Sequence, residues 1–104
     1  MAGDQVLVTE PAARDLKGIA DYIAHELREP ETARRQVGRI KQAVLSLADF
    51  PTRHPLVAEE ALAKKGFRMV VIDNYLVFYI AASREKTVTV IRVLYHRRDW
   101  ASLL

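Results

Sequence analysis

Hydrophobic positions recur at two different spacings along the chain, and the change of spacing separates a helical part from a β part. Val6 and Val8 alternate against Leu7, which predicts a short strand over Gln5–Thr9. From residue 12 to residue 48 the apolar positions are three or four residues apart, which is typical of amphipathic helices. Beyond residue 66, runs of β-branched and aromatic residues predict strands.

The helical part contains two apolar stripes separated by a break at a proline. Thr9 stands before a Glu-Pro pair, which suits a helix start with a hydroxyl cap and an early proline. The first stripe comprises Ala12, Leu16, Ile19, Ala20, Ile23 and Leu27. Pro30 fits the first turn of a second helix, and Pro51 ends it. The second stripe comprises Ala33, Val37, Ile40, Val44, Leu47 and Ala48. The pattern predicts an antiparallel helical hairpin.

The β part predicts three strands after a connector over residues 52–65. One or two helical turns are expected over Glu59–Lys65, and Gly66 closes the connector. The predicted strands are Phe67–Ile72, Tyr75–Ala81 and Thr87–Tyr95, joined by a tight turn at Asp73-Asn74 and a four-residue loop. The predicted fold class is α+β, with an N-terminal strand and a helical hairpin packed on one face of an antiparallel sheet that ends in a three-strand meander. Residues 1–104 are predicted to form one domain.

Strand pairing decides which side chains share a face of the sheet. The turns predict that Arg68 lies opposite Tyr79, and that Val77 lies opposite Arg92. One face is then wholly apolar and should receive the helices; it carries Phe67, Met69, Val71, Leu76, Phe78, Ile80, Ile91 and Val93. The other face should be free of helices and should carry Arg68, Tyr79 and Arg92 side by side, with His96 at its rim, because an unpaired guanidinium is costly to bury.

A cationic face with an aromatic floor suits the binding and cleavage of RNA. Arginines hold phosphate oxygens and tyrosines stack on bases. Cleavage without a metal needs a base, an acid and cations that stabilise the charge on phosphorus. Arg68 and Arg92 fit the cationic role, and His96, Tyr95 and Tyr79 are candidates for the proton transfers. Alternatively, both arginines form ordinary salt bridges with carboxylates, the candidates being Asp73, Glu59, Glu60 and Asp99.

Composition narrows the possible function classes. The chain has 104 residues, a formal net charge of +3 and no cysteine, so disulfide scaffolds and thiolate metal sites are excluded. Its three histidines lack a carboxylate at ligand spacing, so neither a metal nor a cofactor is expected. No apolar run approaches the length of a membrane span, and Met1–Asp4 lack the character of a signal peptide. These features predict a cytoplasmic protein without a membrane partner. Trp100 is predicted to anchor the C-terminal tail.

Three segments resemble the RelE/ParE superfamily of toxins from bacterial type II toxin–antitoxin systems. They are Gly66-Phe67-Arg68, Asn74-Tyr75-Leu76-Val77-Phe78-Tyr79 and Ile91-Arg92-Val93-Leu94-Tyr95-His96-Arg97-Arg98-Asp99. The resemblance covers nearly the whole chain and implies a growth-inhibiting toxin that a cognate antitoxin neutralises. RelE-like members are endoribonucleases that cut mRNA on the ribosome, whereas ParE-like members poison DNA gyrase.

The resemblance also implies roles for individual residues. Arg68 and Arg92 match arginines of the RNA-cutting branch, and Tyr95 or His96 occupies the zone of its terminal catalytic residue. Many relatives have Leu-His and then a small residue before the arginine pair, whereas Leu94-Tyr95-His96 places the histidine one residue later. On an extended strand this shift moves the side chain to the opposite face.

Two activities therefore remain open for the predicted toxin. Substrate binding is assigned to basic residues, namely Lys64, Lys65, Arg97 and Arg98. A net charge of +3 is small for a protein that must sit among ribosomal phosphates, and the long helical hairpin is closer to the ParE side. Metal-independent mRNA cleavage on the ribosome is slightly favoured for the Arg68, Tyr79, Arg92 and His96 grouping. The alternative is a gyrase inhibitor that acts by protein binding without catalysis.

Overall fold

A computed structural model describes residues 3–104, so the first two residues of the segment considered for a signal peptide lie outside it. The elements in chain order are β1 (Gln5–Val8), α1 (Glu10–Asp21), a π-helical segment (Tyr22–Glu26), α2 (Pro30–Ser46), α3 (Glu60–Lys64), β2 (Phe67–Ile72), β3 (Tyr75–Ala82), β4 (Thr87–Tyr95) and a C-terminal 3₁₀ turn (Trp100–Leu103). The predicted α+β fold is confirmed. In the described part of the chain, no helix is long and apolar enough to cross a membrane.

The four strands form one sheet in the order β1-β4-β3-β2. Strands β2, β3 and β4 form the predicted antiparallel meander, and Asp73 has the positive φ (55°) expected of its tight turn. Strand β1 pairs with β4 in parallel, so the sheet is mixed rather than wholly antiparallel. A parallel neighbour requires a long crossover, which the helices and the meander provide here.

Both faces of the sheet are covered, and the predicted assignment of the faces is wrong. Helices α1 and α2 pack on the face predicted to be open, where the fully buried side chains include Val77, Tyr79, Val88 and Val90. The face predicted to receive the helices is covered instead by the connector, α3 and the C-terminal turn. Trp100 lies there with its ring centroid 5.0 Å from that of Phe78, which confirms its predicted role as an anchor of the tail.

A β-bulge at Ile91 shifts the second half of β4 by one residue. The observed pairs are Tyr79 with Val90, Phe78 with Arg92 and Val77 with Val93. The predicted pairing of Val77 with Arg92 is therefore wrong, because the extra residue lies between these pairs. As a result Val93, rather than Arg92, points into the core beneath the two long helices.

Thr9 joins the bulge to the start of α1. Its hydroxyl donates to the Ile91 carbonyl at 2.9 Å, and its backbone N–H donates to the Val90 carbonyl at 3.1 Å. The same hydroxyl oxygen accepts a hydrogen bond from the Ala12 N–H at 3.2 Å, which makes Thr9 the N-cap of α1, as predicted. One side chain thus fixes the helix start relative to the irregular point of β4.

Candidate functional site

Arg92 is held by a carboxylate instead of being presented to a ligand. Its Nε and Nη2 donate to the two carboxylate oxygens of Asp15 at 2.7 and 2.9 Å, and its Nη1 donates to the Leu103 carbonyl at 3.4 Å. The side chains of Arg92 and Asp15 are only 21% and 14% exposed. The hydrogen bonds that Arg92 donates to Asp15 raise the pKa of Arg92 above its ordinary value, against the smaller effect of burial. The guanidinium therefore fastens α1 to β4 and to the C-terminal turn.

Asp15 provides a hydrogen-bond acceptor to β4 where no neighbouring strand is present. Strand β1 ends at Val8, opposite Val90, so β4 has no neighbour on that side beyond the bulge. One carboxylate oxygen of Asp15 accepts the Val93 N–H at 3.0 Å. This partner was not among the carboxylates considered for Arg92. Of those, Asp73 accepts hydrogen bonds from two side chains of α2, Gln36 at 2.9 Å and Arg39 at 2.8 Å.

Arg68 and Tyr79 are cross-strand neighbours, as predicted, but both bind carbonyls of the segment between α2 and α3. Tyr79 is completely buried, and its hydroxyl donates to the Pro51 carbonyl at 2.7 Å. Nη1 of Arg68 donates to the carbonyls of Thr52 and His54 at 3.3 and 2.6 Å. Burial raises the pKa of Tyr79, and the smaller effect of the Arg68 charge opposes it. The ring that was expected to stack on bases is part of the core.

The predicted placement of Arg68 and Arg92 side by side on an open face is therefore wrong. Arg68 binds carbonyls of the connector that follows α2, whereas Arg92 binds α1 and the C-terminal turn. The bulge in β4 and the helices on the Tyr79 face together account for the difference. Their assigned roles in catalysis stay predictions.

Of the predicted catalytic residues, the two that are exposed lie at the end of β4. The rings of Tyr95 and His96 are stacked with centroids 4.8 Å apart, and both residues are exposed. The Tyr75 ring lies 5.8 Å from that of Tyr95, edge to face. The His96 N–H donates to the Asn74 carbonyl at 2.9 Å, so the backbone after β4 is held against the β2–β3 turn. Burial raises the pKa of Tyr75, and the neighbouring Tyr95 and Tyr22 add to this shift.

The four basic residues assigned to substrate binding fall into two separate groups. Lys64 and Lys65 precede the start of β2, and Lys64 pairs with Glu60 at 3.3 Å on the surface. Arg97 and Arg98 follow β4. The last residue of β4, Tyr95, lies opposite Tyr75 of β3, and Tyr75 lies opposite Ile72, the last residue of β2. The arginine pair is therefore at the opposite end of β2 from the lysine pair. A strand of that length spans about 20 Å. The two groups therefore do not form one continuous basic surface along the sheet.

Sequence reasoning missed an open groove of about 750 Å³ between the first helix, the start of α2 and the end of β4. Its lining includes Gly18, Ile19, Tyr22, Leu27, Tyr75 and Tyr95. Tyr22 and Leu27 are 56% and 51% exposed, which leaves apolar surface open to a partner. The feature of the sequence that could have indicated the groove is Tyr22, an aromatic residue outside the apolar stripe of the first helix. The π-helical segment that carries it is a rare local structure found frequently at functional sites.

Comparisons with known proteins agree with this fold. No curated protein matches the chain. The toxin–antitoxin complex RelBE2 from Mycobacterium tuberculosis contains a chain with a TM-score of 0.67 at 20% identity, over 89% of this chain and 98% of that one. The chromosomal ParDE toxin–antitoxin system from P. aeruginosa contains another, with a TM-score of 0.73 at 21% identity, over 88% and 95%. These identities establish similarity of fold alone.

A sequence profile provides the family assignment. The profile described as "ParE toxin of type II toxin-antitoxin system, parDE" matches residues 6–100 and so spans nearly all elements of the fold. The resemblance noted from the strand segments is thereby confirmed at the level of the superfamily. The chain belongs to the family of ParE toxins of type II toxin–antitoxin systems.

Proposed function

We propose that this toxin arrests growth by binding DNA gyrase and that it performs no chemistry on RNA. The observation that carries the proposal is the bidentate pair between Arg92 and Asp15. A cation that stabilises charge on phosphorus must be free to bind the phosphate. For Arg92 to do so, Asp15 would have to give up its partner while staying largely buried beside the Val93 N–H, and uncompensated buried charge is strongly destabilising.

The other groups of the predicted catalytic set support the same conclusion. Tyr79 is 0% exposed, so neither its ring nor its hydroxyl can meet a substrate without unpacking the core. Arg68 has two carbonyl partners of the connector. Inhibition by protein binding needs only an exposed, shaped surface, and the groove with its exposed Tyr22 and Leu27 provides one.

The cognate antitoxin is proposed to use this groove as well. An amphipathic segment could place apolar side chains between the first helix and the end of β4, where Gly18 leaves room for a close approach. Occupation of the groove would then exclude the target, which explains neutralisation by simple competition. We propose that target binding and neutralisation both take place in the cytoplasm.

A second candidate function is mRNA cleavage on the ribosome, and one observation favours it. The stacked Tyr95 and His96 rings are accessible, and Arg97 and Arg98 follow them directly. In that case His96 or Tyr95 would have to move a proton, and loss of both groups would abolish toxicity.

Expression of the toxin in cells that lack the antitoxin separates the two candidates. The double variant Tyr95→Phe, His96→Ala removes both accessible proton-transfer groups, whereas Arg84→Gln changes an exposed loop residue as a control. We expect both proteins to arrest growth, to induce DNA-damage signalling and to leave mRNA intact in primer extension. Discrete mRNA cleavage by the native chain, lost in the double variant, would overturn the proposal.

A further inference from the structure

The solvent-facing side of α2 carries a concentration of positive charge. Its four cations are Arg34, Arg35, Arg39 and Lys41, and its only carboxylate is Glu31. The helix therefore has a net charge of +3, which equals the formal charge of the whole chain. All four cationic side chains are exposed. We call this surface the α2 basic face.

Two of these cations have local carboxylate partners and two do not. Arg34 pairs with Glu31, and Arg39 pairs with Asp73 at 2.8 Å. Arg35 and Lys41 pair with no carboxylate within residues 3–104, and Arg35 reaches only the Thr32 hydroxyl at 3.4 Å. Two positive charges on the α2 basic face are therefore left for an external partner.

Gly38 lies in the middle of this face, and packing against neighbouring side chains does not require a glycine there. A glycine inside a helix costs about 0.5–1 kcal/mol relative to alanine. A Cβ at Gly38 would meet no atom within 4 Å, so close packing does not require the glycine. A shallow, open depression lies over Gly38, between Arg35, Arg39 and Gln42. Polar donors thus surround a point where a bulky anion can approach the helix closely.

The chemistry of the face selects a polyanion over a peptide. Between Arg34 and Gln42 the exposed side chains are all polar or charged, so an amphipathic segment would find no apolar anchor there. The cations are spread over about 10 Å of helix, from the rise of 1.5 Å per residue. Duplex DNA carries one negative charge per ~1.7 Å of its axis and so presents several phosphates over that distance.

We infer that the α2 basic face docks on the phosphate backbone of duplex DNA, with Gly38 at the point of closest approach. The inference rests on the proposed function, since gyrase works on duplex DNA and a toxin bound to it would lie beside that duplex. Such contacts carry no base specificity, because they are made to phosphates. They would add affinity for gyrase that is engaged with DNA over free gyrase.

Fluorescence anisotropy of a labelled 20-base-pair duplex, titrated with the full chain at several salt concentrations, tests the inference. With the two unpaired cations each contacting one phosphate, the slope of log K against log salt should be about −2. The double variant Arg35→Gln, Lys41→Gln should reduce the magnitude of the slope by about 2. The control Lys17→Gln, Arg84→Gln removes the same charge from α1 and the β3–β4 loop and should keep the native slope.

Gly38→Ala tests the depression itself. A methyl group there should weaken DNA binding while it raises the melting temperature of the protein by a few degrees, so misfolding cannot explain the loss. Ala13→Gly is the control for a change in helix stability, because Ala13 is an exposed residue of α1 that does not line the groove. It should lower the melting temperature and leave DNA binding unchanged.

The outcomes separate this inference from the proposed function. Native protein that inhibits gyrase but does not bind the duplex overturns the inference and leaves the proposed function standing. Equal loss of binding in the two charge-removing double variants, or tighter binding to an RNA duplex or to an acidic peptide, also overturns it. Duplex binding that depends on Arg35, Lys41 and Gly38 supports it, whether or not gyrase is inhibited.

Discussion

At the scale of single residues, Asp15 organises more of this molecule than any group that the sequence singled out. Its carboxylate binds the Arg92 guanidinium through both oxygens and also accepts the Val93 N–H. The arginine in turn reaches the Leu103 carbonyl. Sequence spacing could not reveal the pair, because the two residues are 77 positions apart and Asp15 sits on an ordinary helix among other charges.

Substitution of Asp15 by alanine should destabilise the protein by about 3 kcal/mol, because it leaves a largely buried guanidinium without its carboxylate and the Val93 N–H without an acceptor. Urea unfolding measures this loss. The double variant Asp15→Ala, Arg92→Met should be less destabilised than Asp15→Ala alone, since no unpaired charge remains. Lys17→Ala, which breaks an exposed pair on the same helix, should leave the unfolding free energy nearly unchanged. An equal loss of unfolding free energy in Asp15→Ala and Lys17→Ala would show that the buried pair stabilises the protein no more than the exposed pair does.

His54 gives the connector a dependence on pH. Burial lowers the pKa of His54, and the nearby Arg53 charge lowers it further. The unfolded chain therefore takes up the proton at a higher pH than the folded protein does, so the contribution of His54 to stability falls as the pH drops through about 6.5 towards the lower folded pKa. Unfolding free energies at pH 7.5 and pH 5.5 should differ less in His54→Gln than in the native protein. An unchanged difference would contradict this assignment.

At the scale of elements, the β-bulge in β4 decides which side chains reach which core. The Thr9 hydroxyl donates to the bulge residue Ile91 and caps the N-terminus of α1, so one side chain links the bulge to the helix start. The C-terminal half of β4 then lies where α1 can provide Asp15 in place of a neighbouring strand.

Thr9→Val should therefore destabilise the protein by about 1–2 kcal/mol, because it removes a helix cap and a hydrogen bond to the bulge together. Thr9→Ser keeps the hydroxyl and should recover most of the loss. Thermal unfolding of the three proteins under the same conditions provides the comparison. Equal destabilisation in the valine and serine variants would place the effect in the methyl group instead.

Local signals predicted the elements well and the assignment of the sheet faces badly. The tight turn at Asp73-Asn74 fixed the β2–β3 pairing correctly, because a two-residue turn leaves one register. The β3–β4 pairing holds only up to Tyr79 and Val90, since no local pattern marks a bulge at Ile91. Both faces of the meander are rich in apolar residues, so alternation could not tell which face receives the long helices.

The misassigned faces also explain the failure of the predicted cationic surface. Arg68 and Tyr79 were paired correctly, but the face they share is the one beneath the hairpin, where their polar atoms bind carbonyls of the segment between α2 and α3. The exposed Tyr95 and His96 were identified from the strand end. The groove was missed, because it depends on how the π-helical segment lies against β4.

At the scale of the whole molecule, the sheet lies between the long helices on one face and α3 with the C-terminal turn on the other. The two surfaces proposed here for partners are the groove beside β4 and the α2 basic face. The groove has apolar and aromatic side chains beside polar and charged ones, whereas the α2 basic face has cations around a glycine. These two surfaces fit a protein that binds another protein through the groove and a nearby polyanion through the α2 basic face. The proposed activity is therefore inhibition of an enzyme that is bound to DNA.

Supercoiling of a relaxed plasmid by purified gyrase, in the presence of increasing toxin, distinguishes binding from RNA cleavage most directly. The native chain and the Tyr95→Phe, His96→Ala variant should inhibit supercoiling at the same midpoint concentration, since neither proton-transfer group takes part. Gyrase that supercoils at its full rate with saturating toxin, while mRNA on translating ribosomes is cut, would contradict the proposed mode of action.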